Sequence, residues 1–257
     1  MNLFKQLWKS IYSPKDIASF RSQGIGKTIV FVFLLTFISI LPSIYYLSSA
    51  FSAGLDKAEV LLQKEAPDFT VEDGQLTADT KVPVIVNKNG ITFIIDPTGA
   101  VSEEDVADES NAFALLKDRF VMVTGGQTES SPYSMIPGLT LSNEDLLSFV
   151  DYLAGLKGVI ITILVILVYL ISCVISFIEV SIVALIGLLI KNLAGRELNY
   201  GQLWRMAAYS ETLPTLFFMI MAALKTTVPN STGLNWLVVL LVLFLAINEV
   251  PRAEKNS

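Results

Sequence analysis

A long apolar stretch, Thr28 to Phe51, is followed by a polar, acidic segment of roughly a hundred residues. Apolar stretches then fill the rest of the chain. This order constrains the fold more than any motif does. An apolar run of about 20 residues is long enough to cross a bilayer as a helix. Only 16% of the residues are charged, against roughly a quarter in soluble globular chains, which also argues for membrane residence. The expected fold class is an α-helical polytopic membrane protein of about four transmembrane helices, with an inserted extracytoplasmic α+β domain.

Residues 1–27 carry Lys5, Lys9, Lys15, Arg21 and Lys27 against Asp16 alone. Leu3, Phe4, Leu7, Trp8, Ile11 and Tyr12 recur at helical spacing. The spacing predicts an amphipathic helix with an aromatic-rich face and lysines opposite, suited to a membrane interface through Phe4, Lys5, Trp8, Lys9, Ile11 and Tyr12. A basic flank that only sets orientation is the competing reading. Ser13, Pro14 and Asp16 have the order of an N-cap, a first helical residue and an acidic third position, so a second helix is expected there.

Residues 28–51 form the first expected span, with Pro42 as a kink site. The basic residues before it place the N-terminus in the cytoplasm. Ser48-Ser49-Ala50 has the look of a signal-cleavage site, but the apolar region is longer than a signal core. Residues 52–157 hold eighteen acidic and seven basic residues, a net charge of −11, which fits an extracytoplasmic segment.

The run Val159 to Ile190 is interrupted only by Glu179. As one helix it is about 48 Å long, more than the ~30 Å hydrocarbon core. Two spans turning near Glu179 would each be too short. One long helix over residues 158–190 is the favoured reading, and it returns the basic loop 191–205 to the cytoplasm. The third span is expected at 206–224 with Pro214 inside it. An outer loop at 225–233, a fourth span at 234–250 and a cytoplasmic tail at 251–257 complete the threading.

Inside the polar segment, Val82–Val86 and Ile91–Ile95 are β-rich runs around Asn89-Gly90, a hairpin signal. Asp96-Pro97-Thr98-Gly99 has the pattern of a turn. Phe120–Thr124 is a further strand candidate, and Ser142 with Asp145 opens a helix. A four-stranded antiparallel sheet is expected. The cluster Glu103, Glu104, Asp105, Asp108 and Glu109 lacks the alternating ligands and glycine of a calcium loop and suits a solvated helix face. Gly125-Gly126 lacks the lysine of a phosphate loop.

The chain has no histidine and one cysteine, Cys173. Ser-His-Asp and Cys-His catalysis and His-ligated zinc are therefore excluded. Neither an enzyme activity nor a cofactor or metal is expected. Within the spans, Glu179 and Glu211 are the candidate functional residues, because an ionisable side chain there is costly to keep. Arg205 and Tyr209 join them as a candidate intramembrane polar site, with Ser172, Ser176 and Ser181 adding hydroxyls. The competing reading makes each Glu a packing residue bonded to Arg205 or a nearby hydroxyl.

The stretch Lys9-Ser-Ile-Tyr-Ser-Pro-Lys-Asp-Ile-Ala-Ser-Phe-Arg with Gly24-Ile-Gly-Lys-Thr-Ile resembles a bacterial membrane family, domain of unknown function 1189. So do Ile94-Ile-Asp-Pro-Thr-Gly and Leu198-Asn-Tyr-Gly-Gln-Leu-Trp-Arg-Met-Ala-Ala-Tyr-Ser. The resemblance covers the whole chain. It implies a Gram-positive cell membrane and no particular activity. Ser13-Pro14, Phe20, Tyr200-Gly-Gln-Leu-Trp-Arg, Ala208-Tyr209 and Pro214 are also similar to the Yip family, linked in eukaryotes to vesicle trafficking. The large insertion and the lack of a fifth span depart from that family, so its function does not carry over.

The expected function is that of a non-enzymatic accessory or partner-binding protein of the bacterial envelope. The alternative is a small oligomeric transporter or ion-coupled protein using the intramembrane carboxylates. The expected partners are the lipid bilayer, a membrane or envelope protein, and a second copy of the chain. The net charge of −6 gives no sign of nucleic acid.

Overall fold

The computed structural model describes residues 1–88 and 90–252. In chain order the elements begin with α1 (Leu3–Tyr12), α2 (Pro14–Phe20) and α3 (Ile25–Lys64). Next come β1 (Phe69–Glu72), β2 (Gln75–Ala78), β3 (Val84–Lys88), β4 (Ile91–Ile95) and α4 (Glu103–Ala107). They are followed by β5 (Asn111–Leu115), β6 (Arg119–Thr124), β7 (Gln127–Pro132) and β8 (Leu141–Ser142). The last are α5 (Asn143–Leu193), α6 (Tyr200–Ser210), α7 (Thr212–Ala223) and α8 (Ser231–Asn248). The chain divides into a helical unit, residues 1–48 and 160–257, and a mixed unit, residues 49–159.

Among the described residues four helical stretches are long and apolar enough to cross a bilayer: Ile25–Lys64, Asn143–Leu193, Tyr200–Ala223 and Ser231–Asn248. The run after residue 159 is one continuous helix. The third stretch differs from the expected span. It starts at Tyr200, where Asn199 and Gln202 form a reciprocal capping box, and it is broken at Glu211. Pro214 supplies the reason: it has no N–H for the carbonyl of Ser210 and its ring crowds that carbonyl.

The helical unit packs around Ile17, Phe31, Val180, Val183, Ala184, Leu203, Met206, Tyr209 and Leu243, all fully buried. Gly187 permits close approach of α5 to α6 and α8, since a Cβ there would sit 3.3 Å from both Leu203 and Leu243. Ser13 caps α2 through Asp16, and Lys9 holds the same carboxylate at 2.5 Å. The face of α1 turned inward is mixed: Gln6 and Ser10 are buried, and Leu3 and Leu7 pack against the core beside them. Phe4, Trp8 and Tyr12 stand exposed beside Lys5, Ile11 is partly covered, and Lys9 is tied to Asp16 rather than free. The expected division into an apolar face and an opposite lysine face is corrected to that extent.

The mixed unit holds two sheets in place of the expected four-stranded one. The strands β2-β1-β8 form an antiparallel sheet. The order β3-β4-β5-β6-β7 forms the other, with β4 and β5 parallel. A parallel pair needs a crossover, and the segment of the acidic cluster supplies it as α4, capped by Ser102 and Asp105. Val106 of α4 packs on Ile94, Ala112, Ala114, Val121 and Val123, where the two alanines leave room for the helix. The opposite face buries Ile95 with Phe69, Val71, Leu76, Leu62 and Val150. Gly90 has a positive φ, while Asn89 of the expected hairpin and residues 253–257 of the tail lie outside the described residues.

Asp96 is fully buried at the start of the crossover. Its Oδ1 accepts from Thr98 N at 2.9 Å, Thr98 Oγ1 at 2.6 Å and Gly99 N at 3.2 Å, and its Oδ2 from Val101 N at 2.7 Å. Burial alone pushes the carboxyl up, but these bonds outweigh it and hold it below the usual carboxylate value. In Asp96→Asn an amide N–H faces a backbone N–H in either orientation, and a loss of about 2–3 kcal/mol is expected. The folded group titrates lower than the unfolded one. Its stabilisation is therefore complete above about pH 4–5 and lost as pH falls through the folded value. Hydrogen exchange of the β4–α4 segment across acid pH checks both points. Equal protection in Asp96→Asn and the parent chain would refute the account.

Candidate functional site

Glu179 and Glu211 line one cavity of about 140 Å³. The helix period explains how three elements reach it. Val32, Leu35, Thr36 and Ser39 share one face of α3, Ser176 and Glu179 are one turn apart on α5, and Glu211 and Thr215 are one turn apart across the α6–α7 break. The lining thus combines two carboxylates and four hydroxyls with Val32 and Leu35.

Hydrogen bonding in the cavity is uneven. Thr36 Oγ1 donates to Ser176 Oγ at 3.0 Å, and Ser39 Oγ donates to the Thr36 carbonyl at 2.7 Å. Asn235 Nδ2 of α8 donates to Glu179 Oε1 at 2.5 Å. Glu211 is 6% exposed. Its Oε1 is buried and has no hydrogen-bond partner among the described residues. Glu211 occupies the N-cap position of α7 without making a side-chain cap bond, so the carboxylate is not used to close the helix end.

Glu179 also lines a second space, a groove of about 580 Å³ between α5, α7 and α8. Ile175, Ile178, Ile182, Phe218 and Trp236 make it apolar, and Ser231, Thr232 and Asn235 add polar groups. Glu179 is the residue common to groove and cavity.

Of the four residues expected to form the polar site, two converge. Arg205 does not reach the carboxylates: its Nη1 donates to the carbonyls of Arg21, at 3.3 Å, and Gly201, at 3.0 Å. That bond ties α6 to the end of α2. Tyr209 lies on another side of α6, in a ring of side-chain bonds. Gln6 Nε2 donates to Gln23 Oε1 at 2.7 Å, Gln23 Nε2 to Tyr209 Oη at 2.5 Å, and Tyr209 Oη to Gln6 Oε1 at 3.1 Å. Among the serines, Ser176 lines the cavity, while Ser181 accepts from Trp204 Nε1 at 3.2 Å. Ser172 is not among the lining residues.

Sequence reasoning missed Thr36, Ser39, Thr215 and Asn235. A signal was present. Thr36 and Ser39 are three residues apart in an apolar stretch, and Asn235 is an amide within the last one. Neither carries weight until the partner helices are known.

The residues of the mixed unit present a different kind of surface. Val86, Phe93, Phe113 and Met122 are register partners across β3 to β6. They form a partly exposed apolar row in which Phe93 and Phe113 stack at 5.7 Å.

A family model described as Protein of unknown function (DUF1189) matches residues 4–247, and the chain belongs to that family. No curated protein and no solved structure matches the chain. Of the two resemblances in the sequence, the match supports the first, and the likeness to the Yip family is not shown.

Proposed function

We propose that this chain is a multi-pass protein of the bacterial cell membrane that couples its action to a proton or small cation held by Glu179 and Glu211. Both termini lie in the cytoplasm and residues 52–157 lie outside, a reading supported by the basic flanks and the acidic middle segment. The observation that carries the proposal is the convergence of two carboxylates, 32 residues apart in sequence, on one hydroxyl-lined cavity between apolar helices. Carboxylates in such surroundings are expensive to maintain and mark ion pathways. Four spans are few for a complete pathway, so the unit works as an oligomer or beside another membrane protein.

The test is flux in proteoliposomes under a proton or cation gradient. Glu179→Gln and Glu211→Gln are each expected to abolish the same activity. Unchanged flux in the double variant would reject the proposal.

A second reading, a non-enzymatic accessory that binds an envelope or membrane protein, is favoured by the apolar row Val86, Phe93, Phe113 and Met122. In-cell cross-linking, with and without residues 60–150, tests it. A discrete partner lost with the deletion supports the accessory role, and an unchanged pattern of products removes it.

A further inference from the structure

We infer that the Glu179–Glu211 cavity is an all-oxygen binding site for a hard monovalent cation of the sodium class, an inference that rests on the ion-coupled reading above and names its ligand. The first support is Glu211 itself. Its residue is more than nine-tenths buried, it lines the cavity, and its Oε1 has no partner among the described residues. An unpaired buried carboxylate oxygen costs the helical unit stability. A cation in the cavity removes that cost.

The hydroxyls point the same way. Thr36 Oγ1 spends its hydrogen on Ser176 Oγ, and Ser39 Oγ spends its own on the Thr36 carbonyl. Their remaining capacity is lone pairs. The cavity therefore holds more acceptors than donors, the opposite of what an anion needs. Oxygen ligands without sulfur or imidazole suit hard cations and not zinc or copper.

Charge selects among the hard cations. The cost of taking an ion out of water rises with the square of its charge, and the walls beyond the first layer are apolar helices. Among the described residues two carboxylates face the space, one already bonded to Asn235. Among the described residues no three acidic or thiol side chains gather as a metal site. A monovalent ion needs less compensation than this set must give a divalent one. A volume of about 140 Å³ accommodates such an ion with a few waters, each occupying about 30 Å³. Glu179, shared by groove and cavity, is the point of entry, and Glu211 is the inner ligand.

The experiment is equilibrium binding of radioactive sodium to the full-length protein in nanodiscs, together with infrared spectra of the carboxyl groups. Saturable binding is expected, displaced by lithium and not by magnesium or calcium. Glu211→Gln and Glu179→Gln are each expected to weaken it by about tenfold or more, and Thr36→Val by several-fold. Trp8→Ala, remote from the cavity, is expected to leave it unchanged. If a glutamine variant does not fold, Thr36→Val and Glu211→Asp decide the question. Absence of saturable sodium binding, or binding that none of the cavity variants alters, overturns the inference. A protonated carboxyl band that titrates, responds to Glu211→Gln and ignores sodium overturns it too, but leaves the proton-coupled reading standing. A spectrum insensitive to pH and to sodium removes both.

Discussion

Tyr209→Ala is expected to destabilise the helical unit by about 3–5 kcal/mol, the range for truncating a large aromatic in a packed core. Tyr209 is fully buried, with its ring 4.6 Å from that of Phe20 and 4.1 Å from that of Phe31. One side chain thus joins α6 to α2 and α3. Its hydroxyl completes the ring with Gln6 and Gln23, so truncation also takes a partner from the buried amide of Gln6 and from the partly buried amide of Gln23, which keeps its bond to Thr28 Oγ1. Tyr209→Phe keeps the stacking and opens only the ring, and a loss of about 1 kcal/mol is expected. Unfolding of the full chain in detergent, with protease access to α1 as a local readout, separates the two variants. If Tyr209→Ala and Tyr209→Phe unfold alike and α1 stays protected in both, Tyr209 does not hold the N-terminal helices in place.

That ring also shows where sequence reasoning stops. The four apolar stretches and the β-containing region between them were legible, because hydropathy over about 20 residues and period-two alternation are local properties. The helix starts at Ser13 and Ser142 were legible for the same reason. Each is followed three residues later by an aspartate, and both aspartates make the capping bonds. What could not be read was which polar residues meet. Gln6 is seventeen residues from Gln23 and 203 from Tyr209. Its position on α1 looks like the wet face of an amphipathic helix, since amphipathicity reports polarity and not the polarity of the neighbour. The parallel β4–β5 pair was missed in a similar way. The alternation of Ile91–Ile95 is the same for parallel and antiparallel partners, and the acidic cluster, expected as a solvated helix face, gave no sign that its helix makes the crossover. The pair Glu179 and Glu211 could be named from cost alone, whereas the hydroxyl lining required three helices in register.

Glu211→Met is expected to make the protein more stable and indifferent to sodium. The substitution removes a buried oxygen that has no partner among the described residues and fills its space with a flexible apolar chain. A gain of about 1–3 kcal/mol follows from the desolvation cost of such a group. In the parent chain, sodium bound to the native state raises stability by linkage, about 2.7 kcal/mol at a concentration 100 times the dissociation constant. The two effects move the unfolding curves in a characteristic way. Without sodium the Met variant melts above the parent. As sodium rises, the parent gains on the variant, whose curve stays fixed. A packing role for Glu211 makes the opposite forecast: the variant loses native contacts, melts lower at every sodium concentration, and both chains respond to salt alike. Thermal unfolding in detergent across a sodium series, with choline replacing sodium at constant ionic strength, distinguishes them. A carboxylate that lowers stability until its ion arrives is one retained for binding. A carboxylate whose removal costs stability regardless of the ion is part of the scaffold.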